Sequence, residues 1–117
     1  MSTDPDFLDH ALDLFAGLGP IRTGRMFGGT SLYIEDAMFA VIFGDALYMK
    51  ADKPLATLYS EAGSKPFQYN TKTGIRTIPG LTSLPDNALD NPDEALFWAR
   101  KSMVPAQKAA VKRAKSK

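Results

Sequence analysis

The sequence contains no cysteine. That excludes disulfides, thiolate nucleophiles, Cys-ligated zinc and iron–sulfur clusters, and it fits a cytoplasmic setting. Histidine is almost as scarce, with His10 alone. Zinc would need three carboxylates around it, a poor zinc site. A Ser-His-Asp triad would place its only base on the first helix, and no Gly-x-Ser-x-Gly elbow is present. EF-hand spacing, a P-loop and a dinucleotide fingerprint are all missing. No apolar run approaches the roughly 18–20 residues of a membrane span. The acidic start, Met1 to Asp6, lacks the basic and apolar regions of a signal peptide. The expectation is a protein without metal, cofactor or membrane contact, and not an enzyme.

What is present is the composition of one globular domain. The chain has 117 residues, 44% hydrophobic and 23% charged, enough for one real core and too few for two. A formal charge of +1 argues for no particular partner, but it hides a split. Residues 1–99 carry seven basic and thirteen acidic side chains, a net of −6; residues 100–117 carry seven basic ones and no acid, a net of +7.

Local signals set the element order. Asp4-Pro5 is an N-cap followed by proline at the first helical position, and Phe7, Leu8, Ala11, Leu12, Leu14, Phe15 and Leu18 recur at helical spacing. This predicts a helix over about 5–17, with Asp9 and Asp13 toward water and His10 a surface residue. Arg22 to Ile34 reads as one extended stretch interrupted at Gly28-Gly29. After a turn at Glu35-Asp36, Ala37–Phe43 is a continuous apolar run, the mark of a central strand. Gly44-Asp45 is a two-residue hairpin signal, and Ala46–Ala51 returns antiparallel. Asp52-Lys53-Pro54 opens a short helix that Gly63 ends. Phe67 and Tyr69 alternate with polar residues, and Thr73-Gly74 turns the chain into Ile75–Leu84. Pro79-Gly80 lies inside that stretch, so it is expected to be an edge, bulged or short strand. Asn91-Pro92-Asp93-Glu94 caps a last helix that should reach about Val104 before Pro105 breaks or kinks it. The reading is an α+β fold in two layers, α-β-β-β-α-β-β-α, with one antiparallel five-stranded sheet. The domain covers 1–104; 105–117 is a basic tail whose residues 106–115, rich in Ala, Lys and Arg, could extend as helix but bury almost nothing, so fraying or flexibility is expected.

Arg25-Met26-Phe27-Gly28-Gly29, Leu32-Tyr33, Met38-Phe39-Ala40 and Leu47-Tyr48-Met49-Lys50-Ala51-Asp52 form one recurring pattern. Ala62-Gly63, Pro66-Phe67-Gln68-Tyr69, Leu84-Pro85, Pro92-Asp93-Glu94-Ala95-Leu96 and Trp98-Ala99-Arg100-Lys101 extend it. Together they resemble the N-terminal domain of TfoX/Sxy proteins, bacterial competence regulators, over about residues 5–104. The resemblance implies the fold of type III secretion chaperones. It also implies a regulatory role linked to transcription or competence, exercised by longer members with the cyclic-AMP receptor protein and a second, helical domain. It brings no catalytic residues. Two positions depart from the family pattern: Pro79-Gly80 stands where an unbroken strand is usual, and Phe97 where a polar residue is common.

Three groups of side chains are candidates for function. Arg25, Gly28, Gly29 and Lys50 would serve a small-ligand site or enzyme, with backbone close to the ligand and Arg25 as anion partner; a strand bulge or bend is the structural alternative. Phe97, Trp98 and Val104 lie off the core stripe of Ala95, Leu96, Ala99 and Met103, and would serve protein interaction or a homodimer unless a loop or the tail covers them. Arg100, Lys101, Lys108, Lys112 and Arg113 would attract nucleic acid weakly and without base stacking. The leading reading is a non-enzymatic, regulatory protein-binding module; ligand binding near Arg25–Gly29 and non-specific nucleic-acid binding through the tail are the alternatives.

Overall fold

Three helices begin where an acceptor side chain precedes a proline. In the computed structural model, which describes residues 4–26 and 28–115, the Asp4 carboxylate accepts the Asp6 N–H at 3.0 Å and starts α1, Pro5–Leu14. The Asp52 carboxylate accepts the Leu55 N–H at 3.0 Å and starts α2, Lys53–Glu61. The Asn91 side chain accepts from the Asp93 and Glu94 N–H groups and starts α3, Pro92–Lys115. Each bond satisfies a helical N–H that would otherwise lack an acceptor. α1 is shorter than its periodicity suggests: the chain tightens into a 3-10 turn at Ala16–Leu18.

Among the described residues six strands, not five, form one sheet, in the order β1-β2-β3-β4-β6-β5. The extra strand arises because the stretch read as continuous folds back on itself. β1 (Arg22–Met26) and β2 (Gly29–Ile34) pair antiparallel, with Met26 opposite Gly29. Gly28, at φ +80°, takes a turn conformation that other residues adopt only at a cost; Phe27 lies outside the described residues. β3 (Ala37–Phe43) and β4 (Ala46–Lys50) close the meander through the Gly44-Asp45 turn, where Gly44 has the expected positive φ of +61°.

β3 sits inside the sheet and is buried on both faces. A bulge explains how. Tyr33 pairs with Met38 and Leu32 with Ala40, so Phe39 has no partner of its own on β2. The extra residue shifts the alternation. Ala37, Phe39, Ala40 and Ile42 therefore all join the cluster beneath the helices, while Met38, Val41 and Phe43 join a second cluster on the other face.

The Pro79-Gly80 stretch is bulged, one of the expected alternatives, and it is neither an edge nor short. β6 (Gly74–Ser83) is ten residues long and lies between β4 and β5 (Pro66–Thr71). Its first half pairs with β5 and its end with β4, Thr82 also meeting Pro66 of β5; Pro79 and Gly80 have no ladder partner on either side. A residue without an N–H is tolerated where the ladder is already interrupted. This break lets the β5–β6 hairpin fold over the sheet. In a flat sheet β5 would stand three strand spacings, about 14 Å, from β3. Instead the Phe67 ring stacks on Phe43 at 4.6 Å between centroids, and Tyr48 meets Phe67 edge-on at 4.8 Å.

α3 is the second correction. It does not stop at Val104 but runs through Pro105 to Lys115. Its 24 residues give about 36 Å of helix, against a longest molecular dimension of 41 Å. An internal proline costs about 3 kcal/mol; burial on both sides of it outweighs that local preference, since Met103, Pro105 and Ala106 are all buried. Beyond the proline the helix packs on the β2–β3 turn, where the Arg113 guanidinium donates to the Asp36 carbonyl at 2.7 Å. No helix among the described residues is long and apolar enough to cross a membrane.

Candidate functional site

Of the four residues read as a ligand site, Arg25, Gly28 and Gly29 share the β1–β2 turn, and Lys50 lies apart from them. Arg25, exposed on the outer strand β1, lies in register with Thr30, Ile42 and Leu47. Directly opposed residues share a face, and Ile42 and Leu47 belong to the cluster beneath the helices. Lys50 follows Met49 of that same cluster, so alternation turns it to the other face, opposite Leu81 of the second cluster. Three strands and three residues also separate it from Leu47's level, about 14 Å across and about 10 Å along. Gly29 is a packing glycine: a Cβ there would stand 2.3 Å from the Ile42 carbonyl oxygen. Gly28 serves the turn.

His10 is not a free surface residue. It is half-buried, and its Nε2 lies 2.6 Å from the Leu89 carbonyl. A carbonyl only accepts, so Nε2 carries the proton of this bond. The contact ties α1 to the segment before α3, a short 3-10 turn at Asp86–Ala88 that sequence periodicity does not show. No group of three or more His, Asp or Glu side chains that could hold a metal ion occurs among the described residues.

α3 brings most members of the other two groups onto one surface. Phe97 is 50% exposed, Val104 51% and Val111 54%. Residues seven apart on a helix differ by only about 20° in direction, so the three form a single stripe along the outer side. Trp98 does not belong to it. It is 8% exposed and lies in the core, its ring stacked on Tyr59 at 4.5 Å. One step along a helix turns the side chain by about 100°, which carries Trp98 toward α2. Beneath it the Tyr59 hydroxyl contacts the Ser102 hydroxyl at 2.6 Å and donates to the Trp98 carbonyl at 3.2 Å. Burial keeps that tyrosine protonated well above its ordinary range.

The basic residues interleave with the stripe. Arg100 and Lys108 are exposed, and the Lys101 ammonium sits 4.8 Å above the Phe97 ring. Such a contact is worth about 0.5–1 kcal/mol at an exposed site. Lys112 is also exposed on the helix, whereas Arg113 is turned to the β2–β3 turn; Lys117 lies outside the described residues. A shallow groove separates α3 from α2. Its floor and walls include Pro54, Leu55 and Leu58 of α2 and Lys101, Val104 and Pro105 of α3. Leu58 is itself 44% exposed. The missed residues are therefore Leu58 and Val111. Val111 was hidden because the helix was expected to end before it, although its seven-residue spacing from Val104 was legible.

The fold is a curled antiparallel sheet under a helical layer, and α3 presents an apolar, cation-flanked face. The family described as TfoX N-terminal domain matches residues 13–106, and the chain belongs to it. The chain is also similar to the DNA transformation protein TfoX1 of Aliivibrio fischeri (strain ATCC 700601 / ES114), at 34% identity over 61 residues, which is 52% of this chain and 29% of that protein. The match thus spans less than a third of the relative's length.

Proposed function

We propose that this domain is a non-enzymatic regulatory module, linked to competence and its transcriptional control, that acts by binding a protein partner through the outer face of α3. The observation that carries the reading is the row of Phe97, Val104 and Val111, each half-exposed on a helix whose opposite side is core. Contiguous exposed apolar surface rimmed by polar groups marks interaction sites. The family and the name of the relative support the competence theme.

The test is complementation in the host. Disruption of the gene is expected to lower competence transcripts and DNA uptake, and the wild-type chain to restore both. The Phe97→Glu/Val104→Glu variant is expected to fold, because both positions face water, and to fail to restore them. Full restoration by that variant would remove the α3 face from the reading. A disruption without effect on either readout would remove the competence role.

A further inference from the structure

The stripe and the cations form one chemical pattern, and that pattern selects its occupant. Phe97, Val104 and Val111 lie seven residues apart, with Lys101 and Lys108 four residues after the first two. On the exposed side of a helix this gives one apolar position per heptad, with Arg100 and Gln107 where a coiled-coil seam would carry its second, so the stripe is a narrow ridge flanked by charge rather than a full seam. The stripe covers fourteen residue steps, about 21 Å. At Val104, the middle of the row, Leu58 across the α2–α3 groove widens it into a trough, with Lys101 and Asp52 also at its edge. Lysine stems add apolar cover while their ammonium groups stay at the rim.

We propose that the occupant of this trough is an acidic amphipathic helix of about four turns from a partner protein. Its apolar ridge seats between Leu58 and the Phe97–Val111 stripe, and its carboxylates face Lys101, Lys108 and Arg100. The inference rests on the reading of α3 as a protein-binding face and adds the chemistry of the partner. A second copy packed parallel would oppose cation to cation, whereas an antiparallel one would set Asp93 and Glu94 against the basic end of α3; a dimer of the free chain that Val104→Glu dissolves would therefore overturn the proposal. Duplex DNA does not fit. It would take the cations but place three half-exposed apolar side chains against phosphates, with nothing to bury them.

The full chain should be titrated with a synthetic helical peptide of about three heptads, Leu at a and d and Glu at e and g. Three controls accompany it: the same peptide with Lys for every Glu, a short DNA duplex, and vesicles containing phosphatidylglycerol. The Glu peptide is expected to bind at least about tenfold more tightly than the Lys peptide. Lys101→Glu/Lys108→Glu should reverse that preference, and Val104→Glu should remove binding of both peptides. Equal binding of the two peptides, or a preference untouched by the charge reversal, would overturn the proposal. So would tighter binding of duplex or vesicles than of the Glu peptide, lost on the same reversal; it would give the face to phosphates. The complementation assay separates the two readings. If Phe97→Glu/Val104→Glu fails in cells while Lys101→Glu/Lys108→Glu restores function, the face stands and the acidic helix falls. If both restore function, the face itself falls.

Discussion

Replacing Gly29 with alanine is expected to destabilise the protein by about 3 kcal/mol. The added Cβ would stand 2.3 Å from the Ile42 carbonyl oxygen and 2.7 Å from Cδ1 of Phe43. An ordinary carbon–oxygen contact is about 3.3 Å, so β2 and β3 must part locally by about 1 Å. The offending oxygen belongs to the main chain of an interior strand and cannot rotate away. Parting the strands strains the hydrogen bonds beside the Thr30–Ile42 pair, worth about 1 kcal/mol each. It also displaces Phe43 from its stack on Phe67, where a gap of about 1 Å forfeits up to about half the contact energy. The total reaches the upper end for overpacking, about 3 kcal/mol, or roughly 10–15 °C in Tm for a domain of this size. Gly28→Ala should cost less, about 1–2 kcal/mol, through its positive φ alone. Urea unfolding followed by circular dichroism measures both. A loss below about 1 kcal/mol for Gly29→Ala would refute the packing argument and reopen a ligand role for this glycine.

Three further outcomes are expected. Tyr59→Phe should cost about 1–2 kcal/mol because it leaves the buried Ser102 hydroxyl without its 2.6 Å partner; a double-mutant cycle with Ser102→Ala isolates the coupling. Tyr59 also gives stability a dependence on alkaline pH. Unfolded, it loses its proton near its ordinary pKa of 10, whereas burial holds the proton to higher pH in the folded state. Its contribution is thus complete below about pH 10 and falls above it by up to about 1.4 kcal/mol per pH unit, a slope that Tyr59→Phe should lack in pH-resolved unfolding. Removal of residues 106–117 should cost about 2 kcal/mol, from lost burial of Ala106 and the lost Arg113–Asp36 bond, whereas Arg25→Ala, at an exposed position, should stay within about 0.5 kcal/mol of wild type; chemical denaturation compares the two.

The parts of the fold that were legible in the sequence rest on local chemistry. Asp4-Pro5, Asp52-Lys53-Pro54 and Asn91-Pro92 start helices because capping is decided within four residues. Gly44-Asp45 turns a hairpin because the left-handed conformation needs glycine there. The parts that were not legible depend on distant partners. Pro105 is a helix breaker by local rule and lies mid-helix because Met103 and Ala106 are held in the core. Pro79 marks an interruption, but only the pairing of β6 with two different strands shows that it bends an interior strand. The Phe39 bulge leaves no trace in a run that is apolar throughout. The candidate face was half visible: Phe97, Val104 and the lysines could be named, but their union on one side required the helix to continue.

Trp98, the only tryptophan in the chain, touches two worlds. One side of its indole stacks on the buried Tyr59, and its other neighbour is the exposed Phe97, edge-on at 5.3 Å. Its fluorescence therefore reports on the fold from one side and on the outer surface of α3 from the other. Displacement of solvent from Phe97 by a bound helix would alter the emission without unfolding. The protein is thus expected to serve as its own label-free binding sensor, with far-UV circular dichroism on the same sample separating occupancy of the face from loss of the core.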